Sequence, residues 1–256
     1  MPEEEEVLSR GVTSVVRVGD TVRRATGPWT PAVHALLRHL EHIGFDGAPR
    51  VLGIDAEGRE VLTYVEGETP ALPPPVWAAT DEALAGVARL LRGYHDAVEG
   101  FEPPADAAWR RWLGAPAEPE TICRSDLQPP NVVFRAAAPV AFIDWDFAAP
   151  GPRLWDVAAA AANWVPLGGA EGWPPVERGP RLRMLCDVYG LERNERARLL
   201  DLVATRRRVG YESHRRWAAA GVPGFVELWA AGSGEAILSD LRWLERSRPQ
   251  LEPFLR

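Results

Sequence analysis

The sequence predicts an α+β fold in two parts, a small β-rich part followed by a larger, mostly helical one. Three observations carry this reading. Short β-branched runs punctuated by turns are concentrated before residue 66. Residues 67–76 are rich in Gly and Pro and mark a boundary. Beyond Pro152 apolar residues recur at helical spacing.

The elements follow in order. Val15, Val16 and Val18 precede a Gly19-Asp20 turn, and Thr21–Arg24 resume an extended pattern, so residues 7–24 read as a hairpin. Thr30, as N-cap, and Pro31, at the first helical position, open a helix through Val33, Leu36, Leu37 and Leu40, closed by Gly44. Residues 50–54 and 60–64 read as strands joined by Ala56-Glu57-Gly58. An amphipathic helix spans 81–98, and short apolar runs lie near Ile122, at 132–134 and at 140–143. The helical remainder breaks at 166–175, 190 and 221–224. The chain divides into residues 1–66 and 67–256.

Composition narrows the function. The 256 residues carry a formal charge of −7, which disfavours a nucleic-acid partner because phosphate backbones need a basic face. Lysine is absent, so all 29 basic residues are arginines. Every cation required by chemistry is therefore a planar guanidinium. Cys123 and Cys186 are far apart without metal-ligand spacing, and the N-terminus is acidic rather than a cationic leader. A reduced, cytoplasmic protein without a membrane span is expected. His39 and His42 have helical spacing, but no further ligand cluster supports a histidine metal site. His95, His214 and the eleven tryptophans read as core or surface residues. Oligomeric state is not legible.

The informative stretch is Cys123-Arg124-Ser125-Asp126-Leu127-Gln128-Pro129-Pro130-Asn131, followed by Phe142-Ile143-Asp144-Trp145-Asp146. Asp126 and Asn131 lie in a proline-containing loop, off any helix, and Asp144 emerges from an apolar strand. A loop Asp, a loop Asn and a strand-end Asp can converge. Phosphoryl transfer needs such a set: a carboxylate for the attacking hydroxyl, and oxygen ligands for magnesium on the nucleotide phosphates.

These residues resemble the aminoglycoside phosphotransferase family, whose fold is the bilobal protein-kinase-like one. Asp126-x-x-x-x-Asn131 is similar to its H-G-D-x-x-x-x-N loop, and Ile143-Asp144-Trp145-Asp146 to its I-D-x-D segment. Gly151–Ala158 resembles G-x-x-x-x-D-L-A, and Leu90–Asp96 resembles the L-x-x-L-H helix. The resemblance implies ATP or GTP and Mg2+ as cofactors, and a small-molecule hydroxyl as acceptor, on an antibiotic such as an aminoglycoside. It implies Asp126 as catalytic base and Asn131 and Asp144 as metal ligands, with Asp146 and Asp156 supporting the loop. The Ser9–Ser14 turn would cover the phosphates, with Ser14 a contact, and Thr63, Tyr64 and Val65 would form the hinge that meets adenine.

Three departures accompany the resemblance. The phosphate-binding lysine position falls at Arg23 or Arg24. Alternation turns one of them inward, and Arg23 is favoured because Val22 and Arg24 would then share the other face with Asp20. The partner glutamate position carries His34. The loop reads Cys-Arg-Ser-Asp, with Arg124 where histidine is usual, and a buried Arg124 paired with Asp156 is expected. The rival readings are a nucleotide-binding pseudokinase and a choline- or amino-sugar-type metabolite kinase.

Overall fold

The computed structural model describes residues 5–10, 14–116, 118–168, 173–174 and 176–256. Strands β1 (Glu5–Arg10), β2 (Ser14–Val18), β3 (Thr21–Ala25), β4 (Val51–Ile54) and β5 (Arg59–Thr63) form one antiparallel sheet of order β1-β2-β3-β5-β4. The Gly19-Asp20 turn joins β2 to β3, and Gly19 has a φ of +58°, a region that glycine enters without a Cβ penalty. Helix α1 (Thr30–His42) follows β3 and buries Val33, Leu36, Leu37 and Leu40. Its N-cap is Trp29 rather than Thr30. The Thr30 hydroxyl instead accepts a 2.9 Å hydrogen bond from the Gly27 amide, tightening the entry turn.

Helix α2 (Asp81–Ala97) begins at Thr80, whose hydroxyl accepts from the Ala83 amide at 3.1 Å. Four short strands come next: β6 (Thr121–Cys123), β7 (Val132–Arg135), β8 (Ala138–Phe142) and β9 (Ala149–Gly151). β7 and β8 form a hairpin, and β6 pairs with β9. β9 is absent from the sequence expectation, since three residues centred on a proline show no alternation. Helices α3 (Arg153–Trp164), α4 (Arg178–Tyr189), α5 (Arg193–Ala219), α6 (Phe225–Ala230) and α7 (Ser233–Leu251) complete the chain.

The buried core runs continuously from Leu36 and Leu62 in the first part, through α2, to Leu255. The run Ala158–Ala162 of α3 is buried throughout, so α3 lies deep in the molecule beside α5. Trp155 and Trp164 of α3, and Trp145 before it, are almost completely buried. Among the described residues, no helix is long and apolar enough to cross a membrane.

Candidate active site

The loop after β6 is held from α3. Asp156, fully buried on the first turn of α3, accepts from the backbone amides of Arg124 (2.6 Å) and Ser125 (2.8 Å). Its Oδ2 also meets Nε2 of His95 at 3.1 Å, and Nδ1 of His95 meets the Tyr189 hydroxyl at 2.6 Å. This bracing keeps Ser125 at a φ of +66°, which a non-glycine residue reaches only at a cost. The indole N–H of Trp164 donates to the Leu127 carbonyl at 2.8 Å. Asn131 ends a single 3-10 turn, Pro129–Asn131, and its carbonyl accepts from the Ile143 amide at 3.0 Å. That bond ties the loop to the end of β8, where Asp144 sits at a φ of +60°.

Arg124 is fully buried, but its guanidinium does not pair with Asp156, as the sequence had suggested; the backbone amide makes that contact. The guanidinium donates to the Ile143 carbonyl and lies 5.2 Å from the Trp145 ring and 5.5 Å from Phe142. Its Nε and Nη1 have no hydrogen-bond partner among the described residues. The physical difference is that Asp156 is used to hold the loop backbone through two successive amides, while the guanidinium lies on the β8 side of the loop against the Ile143 carbonyl.

The inward arginine of β3 is Arg24, not Arg23. Arg24 is 5% exposed, whereas Arg23 is half-buried. The register opposes Arg24 to Glu60 across β3 and β5, and this puts the arginine on the cleft face. Its Nε donates to Glu60, Nη1 to Asp144 at 2.9 Å and Nη2 to Asp146 at 2.5 Å. The second Glu60 oxygen lies 2.9 Å from Nε2 of His34. A strand glutamate tethered by the helix histidine thus supplies the carboxylate that α1 lacks. Arg110 reaches Asp146 at 3.5 Å and stacks over Trp29 and Phe147.

These contacts shift the carboxylates in opposite directions. Burial alone would raise the Glu60 carboxyl, yet the His34 hydrogen bond and the Arg24 charge bring it below its ordinary value. Burial likewise opposes ionisation of Asp144, but the charges of Arg24 and Arg124 hold its carboxyl low. Solvent reaches 48% of the Asp144 side chain, and screening tempers these attractions. Burial raises Asp146 despite Arg24, with the Asp144 charge adding to the rise. Burial also raises Asp126, opposed chiefly by Arg124.

Two cavities flank the loop. The larger, about 540 Å3, lies under the sheet. Val15, Leu62, Thr63, Tyr64 and Val65 line one side of it, and Asn131 and Asp144 the other. Ser14, exposed at the start of β2, is not among its lining residues, and residues 11–13 of the expected phosphate turn lie outside the described residues. The smaller cavity, about 190 Å3, is lined by Ser125, Asp126 and Gln128 from the loop, Trp155 from α3, and Arg206 and Arg207 from α5. Arg206 donates to the carbonyls of Ser125 (2.6 Å) and Trp155 (3.3 Å), and burial lowers its pKa to about 10. Sequence reasoning missed Glu60, Arg206 and Arg207. The Arg206-Arg207-Arg208 run was visible, but nothing local distinguished an inward guanidinium from a solvated one.

Among the described residues, no group of three or more His, Cys, Asp and Glu side chains could hold a metal ion unaided. Asn131 and Asp144 nevertheless fit magnesium. They are oxygen donors facing one cavity, and magnesium on a nucleotide takes only one or two protein carboxylates alongside phosphate oxygens.

A β-sheet part, a mostly helical part and a braced Asp-x-x-x-x-Asn loop between two cavities define a protein-kinase-like small-molecule phosphotransferase fold. The chain belongs to the phosphotransferase enzyme family, whose sequence profile matches residues 98–200. It is similar to the trifolitoxin immunity protein of Rhizobium leguminosarum bv. trifolii, with 38% identity over 207 residues, 76% of this chain and 77% of that protein. Among solved structures, the amicoumacin kinase hAmiN, in complex with AMP-PNP, Ca2+ and Ami, superposes with a TM-score of 0.66 at 12% identity. That match covers 82% of this chain and 80% of the kinase. A choline/ethanolamine kinase family protein from Mesorhizobium loti gives 0.61 at 15% identity, over 98% and 91% of the two chains.

Proposed function

We propose that the protein transfers the terminal phosphoryl group of ATP or GTP to a hydroxyl of a small molecule. The observation that carries this reading is the placement of one loop between two cavities. Asn131, at its end, lines the larger cavity with Asp144 and the hinge residues Thr63 and Val65, while Asp126, near its start, lines the smaller. Residues 1–66 then act as the nucleotide lobe and 67–256 as the catalytic and acceptor lobe. Backbone groups around Thr63–Val65 meet the base, and the apolar side chains of Val15, Val22 and Leu62 enclose it. Arg24 sits at the phosphate end, beside Asp144.

Asp126 orients the acceptor hydroxyl and takes its proton. The freed oxygen bonds to the terminal phosphorus as the bond to the bridging oxygen breaks, and a nucleoside diphosphate leaves. Magnesium, held by Asn131 and Asp144, would neutralise charge on the phosphate oxygens. The name of the trifolitoxin immunity protein supports a toxin or antibiotic as acceptor. A non-transferring, nucleotide-binding role is the second reading, and the three carboxylates that already occupy Arg24 favour it. Magnesium-dependent release of nucleoside diphosphate, measured with and without candidate acceptors, separates the two. Asp144→Asn should abolish that release while leaving the circular-dichroism spectrum and melting curve of a folded protein. Undiminished release in that variant rules out the assigned metal site.

A further inference from the structure

We propose that Arg24 is an arginine-specific phosphate clamp: Glu60, Asp146 and His34 fix its plane, and Nη1 alone is placed to pass from Asp144 to a nucleotide phosphate. This rests on the phosphotransfer reading only in placing nucleotide phosphates beside Asp144. Nε and Nη2, which share one edge of the planar group, go to Glu60 and, at 2.5 Å, to Asp146. Both carboxylates are buried, and each is held by a second side chain through its other oxygen. Oε2 of Glu60 lies 2.9 Å from Nε2 of His34, a buried residue of α1. An ionised carboxylate only accepts, so His34 carries its proton on Nε2. Oδ2 of Asp146 lies 3.5 Å from Nη1 of Arg110, whose guanidinium is 4.7 Å from the Trp29 ring and 4.6 Å from Phe147.

The third contact differs. Nη1 meets Oδ1 of Asp144 at 2.9 Å, and 48% of the Asp144 side chain is exposed, against 2% for Glu60 and 6% for Asp146. Arg24 and Asp144 line the larger cavity, whereas Glu60 and Asp146 are not among its lining residues. A ligand in that cavity therefore reaches the Nη1 bond first. Exchange there is like for like. A phosphate oxygen replaces a carboxylate oxygen on Nη1, no donor is left bare, and the two buried contacts stay intact. Lysine cannot act this way. Its ammonium is a point charge, and the two buried carboxylates would draw it away from the cavity. Glu60 stands directly opposite Arg24 in the β3–β5 register, so the clamp is set within the sheet and α1 adds only His34.

The test measures Kd on the full chain. Calorimetry reads magnesium AMP-PNP and magnesium GMP-PNP, and saturation-transfer NMR reads adenosine and guanosine, which carry the base without phosphate. Arg24→Lys keeps the charge, yet should weaken the tighter analogue at least about tenfold, as expected for a charge-assisted hydrogen bond. Its nucleoside Kd should match that of the wild type. His34→Leu should weaken the analogue with the same selectivity. His34→Gln, whose amide can donate to Glu60, should restore most of the affinity. Should Arg24→Lys lose its thermal transition and fail to fold, the two His34 variants decide. Three results overturn the clamp and leave phosphotransfer standing: wild-type analogue affinity in Arg24→Lys, equal losses of analogue and nucleoside in the folded variants, or His34→Gln no better than His34→Leu. Wild-type protein that binds neither analogue removes the nucleotide reading, and the clamp with it.

Discussion

Arg24 contacts Glu60, Asp144 and Asp146 at once, and its neighbour Arg23 contacts none of them. Removing a buried cation from three carboxylates leaves uncompensated charge. Arg24→Ala should therefore lower stability by about 3–5 kcal/mol, and Arg23→Ala by about 1 kcal/mol or less, both read from urea denaturation. Equal losses would contradict the cluster. Asp126 behaves in the opposite sense. Burial raises its folded pKa above the ordinary 3.8, so the native state binds a proton more readily than the unfolded chain. Stability then falls as pH rises through the interval between 3.8 and the raised folded value. Asp126→Asn should raise the melting temperature at pH 7 and leave it unchanged well below 3.8. If Asp126 is the proton acceptor, the same variant lowers kcat by about 10²–10⁴-fold, and wild-type kcat rises with pH through the raised pKa. A melting temperature that drops at neutral pH would show that ionised Asp126 is stabilising instead.

At the scale of elements, the hairpin β7–β8 docks on α2 through a glycine. A Cβ built on Gly86 would stand 2.6 Å from two ring carbons of Pro139, near the start of β8 just after the hairpin turn. Alanine is the better helix former by about 1 kcal/mol. Forcing a methyl into a packed contact costs about 1–3 kcal/mol, and a proline ring cannot swing away. Gly86→Ala should thus destabilise by up to about 2 kcal/mol. Because β8 leads into Asp144, the variant should also weaken nucleotide binding, measurable by calorimetry. A gain in stability would mean that the hairpin shifts freely, and that α2 does not set the position of Asp144. Asp156 does comparable positioning from α3, where one carboxylate fixes two successive amides of the loop.

Across the whole molecule, the larger cavity is walled by the sheet on one side and by the Asn131 loop on the other. A ligand there contacts both parts and binds only the folded chain. At a concentration one hundred times its Kd, magnesium nucleotide should stabilise the protein by about 2.7 kcal/mol. Thermal denaturation with and without nucleotide reads this directly. The gain should shrink in Arg24→Ala and persist in Arg206→Gln, whose side chain belongs to the other cavity. Loss of the gain in both variants would mean that the two cavities are not separate sites.

Order and spacing along the chain were sufficient for the class. Asp126, Asn131 and Asp144 are close in sequence, and covalent connection through one loop and one hairpin leaves them few ways to diverge. Helices and strands were legible for the same reason, since apolar periodicity is local; β9, three residues long, has too little pattern to register. What the sequence left open were partners chosen at a distance. Arg24 meets Glu60 36 residues away and Asp146 122 residues away, and a register slip of one would have turned Arg23 inward instead. Arg124 meets Asp156 through its backbone amide while its guanidinium lies at the Ile143 carbonyl, a choice that depends on how the loop packs between α3 and β8. The arginines that line the smaller cavity come from α5, some 80 residues beyond the loop, where Arg206 reaches the Ser125 carbonyl. Chain connectivity determines which groups are neighbours in order, whereas register and packing determine which buried charges share a space.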